Sequence, residues 1–188
     1  MKYDLNEMMC LDVYLSDLTK EELHTVEPQI QNPKIRSMPL LSWDLYMDGY
    51  SHQMAAAIKR LERDRVLGFA ERFSWKNDLN LAFSENDYEA LIITDLNQNI
   101  IWVNEGFSTM TGYSKKFAVN KTPKFLQGKE TLEDSKNRIR EKILLQIPFK
   151  ELIINHKKNG TAYICEVKII PLISNRTTHF IAFEKEVI

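Results

Sequence analysis

A change of hydrophobic period near residue 80 does most to narrow the fold. Before it, Met54, Ile58 and Leu61, then Val66, Phe69, Ala70 and Phe73, recur at threes and fours. That spacing gathers them on one side of a helix, predicted to follow Ser42 or Ser51 and to end near Trp75. Gly68 weakens this helix by roughly 1 kcal/mol, enough to allow a break. Beyond residue 80 the apolar residues come in short runs bounded by turn formers. Ala90-Leu91-Ile92-Ile93-Thr94-Asp95 is followed by the turn Asn97-Gln98-Asn99 and then by Ile100-Ile101-Trp102-Val103-Asn104, a predicted hairpin.

A short helix is expected over 105–111, with Gly112 as its C-cap, and another behind Ser114. Thr131-Leu132-Glu133-Asp134 opens a longer helix with Ile139, Ile143, Leu144 and Ile147 on one stripe, and Pro148 stops it. Three strands finish the chain, over 149–156, 161–172 and 179–187. The Asn159-Gly160 pair turns the first into the second. Two strands, several short helices, a longer helix and three strands predict an α+β fold, a five-stranded antiparallel sheet with helices on one face. Residues 1–80 are read as an amino-terminal helical extension, 81–188 as the sheet domain.

Within the extension, Thr19-Lys20-Glu21-Glu22 has the spacing of a capping box, and Pro28, Pro33 and Pro39 punctuate the stretch up to residue 40. Composition sets the functional limits. A net charge of -1 argues against a nucleic-acid binder, which concentrates positive charge to displace counterions. No apolar run nears the roughly 20 residues needed to span a bilayer, and the amino terminus lacks a signal-peptide pattern. Cys10 and Cys165 suggest neither a disulfide framework nor a metal site. A cytoplasmic protein is therefore expected. His24, His52, His156 and His179 are scattered, and no phosphate-binding glycine loop or zinc motif is present, so no catalysis is expected.

Three segments carry a family resemblance. Thr122-Pro123-Lys124-Phe125-Leu126-Gln127-Gly128 resembles the flavin-binding Asn-Cys-Arg-Phe-Leu-Gln-Gly segment of the LOV branch of the PAS family. Val103-Asn104-Glu105-Gly106-Phe107, continuing to Thr111-Gly112-Tyr113-Ser114, resembles the family's strand-to-helix segment. Asn155-His156-Lys157-Lys158-Asn159-Gly160-Thr161 resembles its penultimate hairpin. Together they cover about residues 82–188 and imply a PAS fold and a sensory, non-catalytic signalling role.

The same resemblance implies a candidate ligand pocket. Pro123 stands where LOV domains carry the cysteine that bonds to flavin, which removes adduct chemistry at that position. Lys124 and Arg140 occupy the positions of two phosphate-clamping arginines, and Lys124 lacks their planar fork. Gln127 matches the ribityl contact and Asn155 the first of two asparagines that read the ring edge. Cys165 replaces the second asparagine, and Glu184 replaces the last-strand glutamine. A carboxylate serves poorly there unless burial keeps it protonated. Ala182 stands where the family often has glycine. Plainer roles stay open beside these: Cys165 as a small buried hydrophobe, Arg140 as a surface residue, Phe125 and Leu126 as core. The cofactor is undetermined, with FMN, another small ligand or none all compatible with these residues.

The chief functional expectation is a stand-alone PAS sensor or interaction module, acting as a homodimer or on a partner signalling protein through residues 42–75. Its output would leave through residues 1–80 or a separate partner, because no output region follows Ile188 in this sequence. A flavin photoreceptor or redox sensor without a cysteinyl adduct is the alternative, with Trp102 the nearest electron donor by sequence. A third reading, a DNA- or kinase-linked regulator using the basic positions Lys59, Arg60, Arg63 and Arg65, rests on that charge run alone, and a solvated helix face laced with ion pairs explains the run better.

Overall fold

The computed structural model describes residues 15, 18–26 and 41–187. Pro28, Pro33, Pro39 and Cys10 lie outside the described residues. The chain divides into two compact units, Met1–Ala56 and Ala57–Ile188. In the first, helix α1 (Lys20–Val26) starts at the expected capping box. Thr19 donates its backbone N–H and its hydroxyl to Glu22 Oε2 at 3.0 and 2.7 Å, and both bonds hold the exposed Glu22 carboxyl below its usual range.

Helix α2 (Leu41–Phe73) runs through Gly68 without a break. Fully buried Val66 two residues earlier anchors it, so packing offsets the local glycine penalty. A short helix that the sequence does not predict, α3 (Leu79–Glu85), comes next with Asp78 as its N-cap. Its seven residues are too few for periodicity to reveal.

The sheet has the expected order. Strands β1 (Ala90–Asp95) and β2 (Ile100–Val103) form the first hairpin. Helices α4 (Glu105–Thr111) and α5 (Lys115–Ala118), the 3-10 turn Pro123–Leu126 and helix α6 (Glu133–Leu144) come next. Strands β3 (Phe149–His156), β4 (Ala162–Ile173) and β5 (Thr177–Val187) complete an antiparallel sheet ordered β2-β1-β5-β4-β3. The last strand thus returns to the centre beside the first.

Ala90 to Ile93 in β1 are all buried, because this central strand is covered on both faces. On the inner face Ile92, Val103, Phe107, Leu126, Cys165 and Val167 share one core with α4 to α6. On the outer face Leu91, Ile93, Ile181 and Phe183 pack against Val66, Trp75 and Leu79. Trp75 Nε1 also donates to Thr178 Oγ1 at 3.1 Å and His179 Nδ1 at 3.3 Å. The carboxy-terminal part of α2 and α3 therefore cover the outer face of the sheet. Met54, Ile58 and Leu61 remain 44%, 47% and 70% exposed.

One residue stitches the first hairpin to its helix. Asn104, buried at the end of β2, accepts from the backbone N–H groups of Leu91 and Phe107 at 2.9 Å each. Its Nδ2 donates to the Glu89 carbonyl at 3.0 Å. Gly106 must lack a side chain here, since a Cβ would come within 1.8 Å of that same carbonyl oxygen. Gly112 closes α4 in the left-handed region at φ 76°. No helix among the described residues is long and apolar enough to cross a membrane.

Candidate functional site

Between the inner face of the sheet and α6 lies a cavity of about 130 Å³. That is roughly ten times the ~10–15 Å³ one water requires. Its walls are apolar, from Ile92, Leu126, Ile153, Val167, Ile169 and Phe180 among others. The Pro123–Leu126 turn forms part of its rim, with Pro123 itself in the lining. Thr131 fixes the adjoining loop. Its hydroxyl donates to the Ile154 carbonyl on edge strand β3 at 2.6 Å and accepts from Gly128 N–H at 2.9 Å.

Five of the six expected pocket residues, Lys124, Gln127, Arg140, Asn155 and Glu184, meet around this cavity, as does Ala182. They come from the 3-10 turn, α6, β3 and β5, so only the folded chain assembles them. Arg140 and Lys124 are exposed at the protein surface, and Arg140 also donates to Asn137 Oδ1 at 3.3 Å. Cys165 is the exception. It is fully buried in the inner core and does not line the cavity. Burial, then the Glu184 carboxyl beside it, push its thiol far above the ordinary range, so it stays protonated and unreactive.

Sequence reasoning missed Lys136, Thr94 and Gln98 as cavity residues. Lys136 was legible in principle: with Ile139, Arg140 and Ile143 it forms an i, i+3, i+4, i+7 stripe on α6. It also pairs with Glu133 at 2.7 Å. Trp102, expected as the nearest electron donor to a flavin, instead packs at the outer face. It stands opposite Ile93 in the β1–β2 ladder, with its ring 6.1 Å from that of Phe69. Trp75 packs at that face too.

Glu184 is the most unusual member of the site. It is 5% exposed, and its Oε2 has no hydrogen-bond partner. Burial pushes its carboxyl up to about 7, and only the Cys165 thiol pulls it back down. Neighbouring Tyr163 also has a buried, unpartnered hydroxyl, whose ionisation burial and the Glu184 carboxyl both oppose. The far side of β5 is differently connected. Lys185, next in sequence, pairs with Asp87 at 2.8 Å, and Asp87 pairs with Lys59 of α2 at 2.9 Å. The two lysines hold the Asp87 carboxyl well below the usual range. Among the described residues, no group of His, Cys, Asp or Glu is arranged to hold a metal ion.

The fold agrees with comparisons to known proteins. The PAS domain family matches residues 89–187, just over half of the chain. The chain belongs to the PAS domain family. A blue-light photoreceptor of Listeria innocua is 37% identical over 101 residues, which span 52% of this chain and 40% of that protein. The chain thus matches about two fifths of that relative's length. Among solved structures, the dark state of the blue-light photoreceptor Aureochrome1 LOV superposes with a TM-score of 0.56 at 23% identity. It covers 60% of this chain and 85% of that one. The LOV domain of a blue-light activated histidine kinase from Erythrobacter litoralis superposes with a TM-score of 0.51 at 26% identity. It covers 54% of this chain and 98% of that one. This PAS domain is a LOV-like sensory module of signal transduction.

Proposed function

We propose that this domain senses a small ligand held non-covalently in the inner cavity and relays occupancy to α2. The observation that carries this reading is the cavity's pairing of apolar walls with polar residues from both its helical side and its sheet. Lys124, Lys136, Gln127 and Arg140 supply one set, Asn155 and Glu184 another. The orphaned Glu184 oxygen is a buried polar group that a ligand would satisfy.

These residues fit the chemistry of the family's flavin: cations for a phosphate, a glutamine for a polyol, and polar groups for a ring edge. Bound FMN would supply blue-light absorption and redox chemistry. Pro123 offers no nucleophile, so this chain would hold it by contacts alone. Glu184 would meet the ring edge and Arg140 and Lys124 the phosphate, while Ile92, Leu126 and Val167 would exclude water. The packing of Trp102 at the outer face weakens a photoreduction reading built on that residue.

Output would pass through β5. Glu184 faces the cavity while Lys185 faces Asp87 and Lys59, so a shift of β5 on binding would strain the clamp on α2. A second subunit or partner signalling protein would read that change through residues 42–75. The role is sensory and non-catalytic, and a cytoplasmic setting suits it.

The test is a visible spectrum and native mass of the purified protein after incubation with FMN. A flavin band that co-migrates with protein, lost in Arg140→Ala, is expected. A colourless protein that retains no flavin or other small molecule would sink the ligand reading.

A further inference from the structure

We infer that Glu184 recognises the ligand as a neutral carboxylic acid, donating a hydrogen bond to an acceptor atom on it, so that occupancy of the cavity is linked to one proton. The inference rests on the ligand-sensing role proposed above and specifies what kind of group the deep wall of the cavity accepts.

The geometry carries it. Glu184 lies on β5 between β1 and β4, opposite Ala90 and Val167 in the two ladders, with its side chain buried and lining the cavity. Its backbone carbonyl accepts from Glu89 N–H at 2.8 Å, which ties the strand down on the β1 side. Its Oε2 is left without a partner. The charged and titratable groups around it do not neutralise a carboxylate. From β4 come the Cys165 thiol and the Tyr163 hydroxyl, and from the start of β1 comes Glu89. Beyond Glu184 on its own strand, Glu186 is already paired with Lys157 at 2.8 Å. Lys124, Lys136 and Arg140 line the cavity from the 3-10 turn and α6, and none forms an ion pair with Glu184 among the described residues.

A carboxylate so enclosed would be an uncompensated buried charge, whereas the acid is neutral and has an O–H to donate. The acid meets a carbonyl oxygen or an unprotonated ring nitrogen. Its other oxygen still accepts, whereas the ionised form can only accept and repels an acceptor. The uncharged polar residues of the lining, Thr94, Gln98, Gln127 and Asn155, do not titrate. The proton requirement therefore belongs to Glu184.

The experiment measures affinity for riboflavin and FMN by fluorescence quenching at pH 6 and pH 8 with the full chain. Riboflavin lacks the titrating phosphate, so its pH dependence reports the protein. With the carboxyl titrating at about 7, the competent fraction falls about tenfold between these values, and riboflavin affinity should fall about tenfold with it. In Glu184→Gln, which keeps a donor but cannot titrate, the ratio should fall to about one while binding persists. The carbonyl stretch of a protonated carboxyl, present in the infrared spectrum of the ligand-free protein at pH 6 and missing in Glu184→Gln, should weaken by pH 8. Equal riboflavin affinity at both pH values, or a pH dependence that survives in Glu184→Gln, overturns the inference alone. Failure of both flavins to bind at either pH, with no other small molecule retained in the native mass, overturns the ligand reading of the cavity itself. The infrared titration then separates the two failures by showing whether Glu184 holds its proton.

Discussion

Glu184 also shapes stability. Its native value of about 7 lies above the ordinary 4.5, so the native state binds more protons than the unfolded chain between those values. Stability should therefore be greatest, as far as this group is concerned, below pH 4.5 and should fall as pH rises to about 7. The loss is about 3 kcal/mol at 1.36 kcal/mol per unit. Glu184→Gln removes this slope, so its urea midpoint should exceed that of the parent at pH 8 and match it near pH 4.5. A parent protein whose midpoint is flat over that range would contradict the assignment. Asn104 works in the opposite sense, as a fully satisfied buried amide. Asn104→Ala leaves the Leu91 and Phe107 amides unpaired and uncaps α4. A loss of at least about 2 kcal/mol is expected in chemical denaturation.

At the scale of elements, the outer face of the sheet decides where the folded unit begins. Leu91, Ile93, Ile181 and Phe183 are covered by Val66, Trp75 and Leu79, all of which precede residue 81. A fragment starting at residue 81 should therefore expose an apolar sheet face, bind a hydrophobic dye and melt well below the full chain. A fragment starting at Ala57 should do neither. Equal melting of the two fragments would show that α2 contributes no cover. The strands and most helices were legible because turn chemistry punctuates them: Asn159-Gly160, Gly112, Pro148 and the Asn97-Gln98-Asn99 turn each mark a boundary. Helix α3 and the Pro123–Leu126 turn were not, since each is shorter than two helical turns and shows no period. The docking of α2 was not legible either, because its apolar residues say that a surface is needed but not which one.

For the whole molecule, the exposed Ile58 and Leu61 of α2 leave apolar surface that the described sheet domain does not cover. Self-association through residues 42–75 would cover it. Light scattering on the full chain should give twice the monomer mass, and Ile58→Ser with Leu61→Ser should return it to monomer. A monomeric parent at high concentration would refute this. The paired charges of Lys59 and Asp87 sit beside that surface. Being solvent-exposed, they are worth at most about 1 kcal/mol and serve better as a positional clamp than as a source of stability.

The sequence by itself determined the order of strands and helices, the kinship with PAS domains, and the loss of adduct chemistry at Pro123. These come from local periodicity, turn residues and motif identity, each readable within a few neighbours. Only the tertiary structure decided that Lys124, Lys136, Gln127, Arg140, Asn155 and Glu184 meet around one cavity, that Cys165 is withdrawn from it, and that Trp102 faces away. Those outcomes depend on pairings across about ninety residues, as when β5 returns to lie beside β1. Burial of an ionisable carboxyl, which is what sets Glu184 apart, exists only once both sides of the sheet are covered.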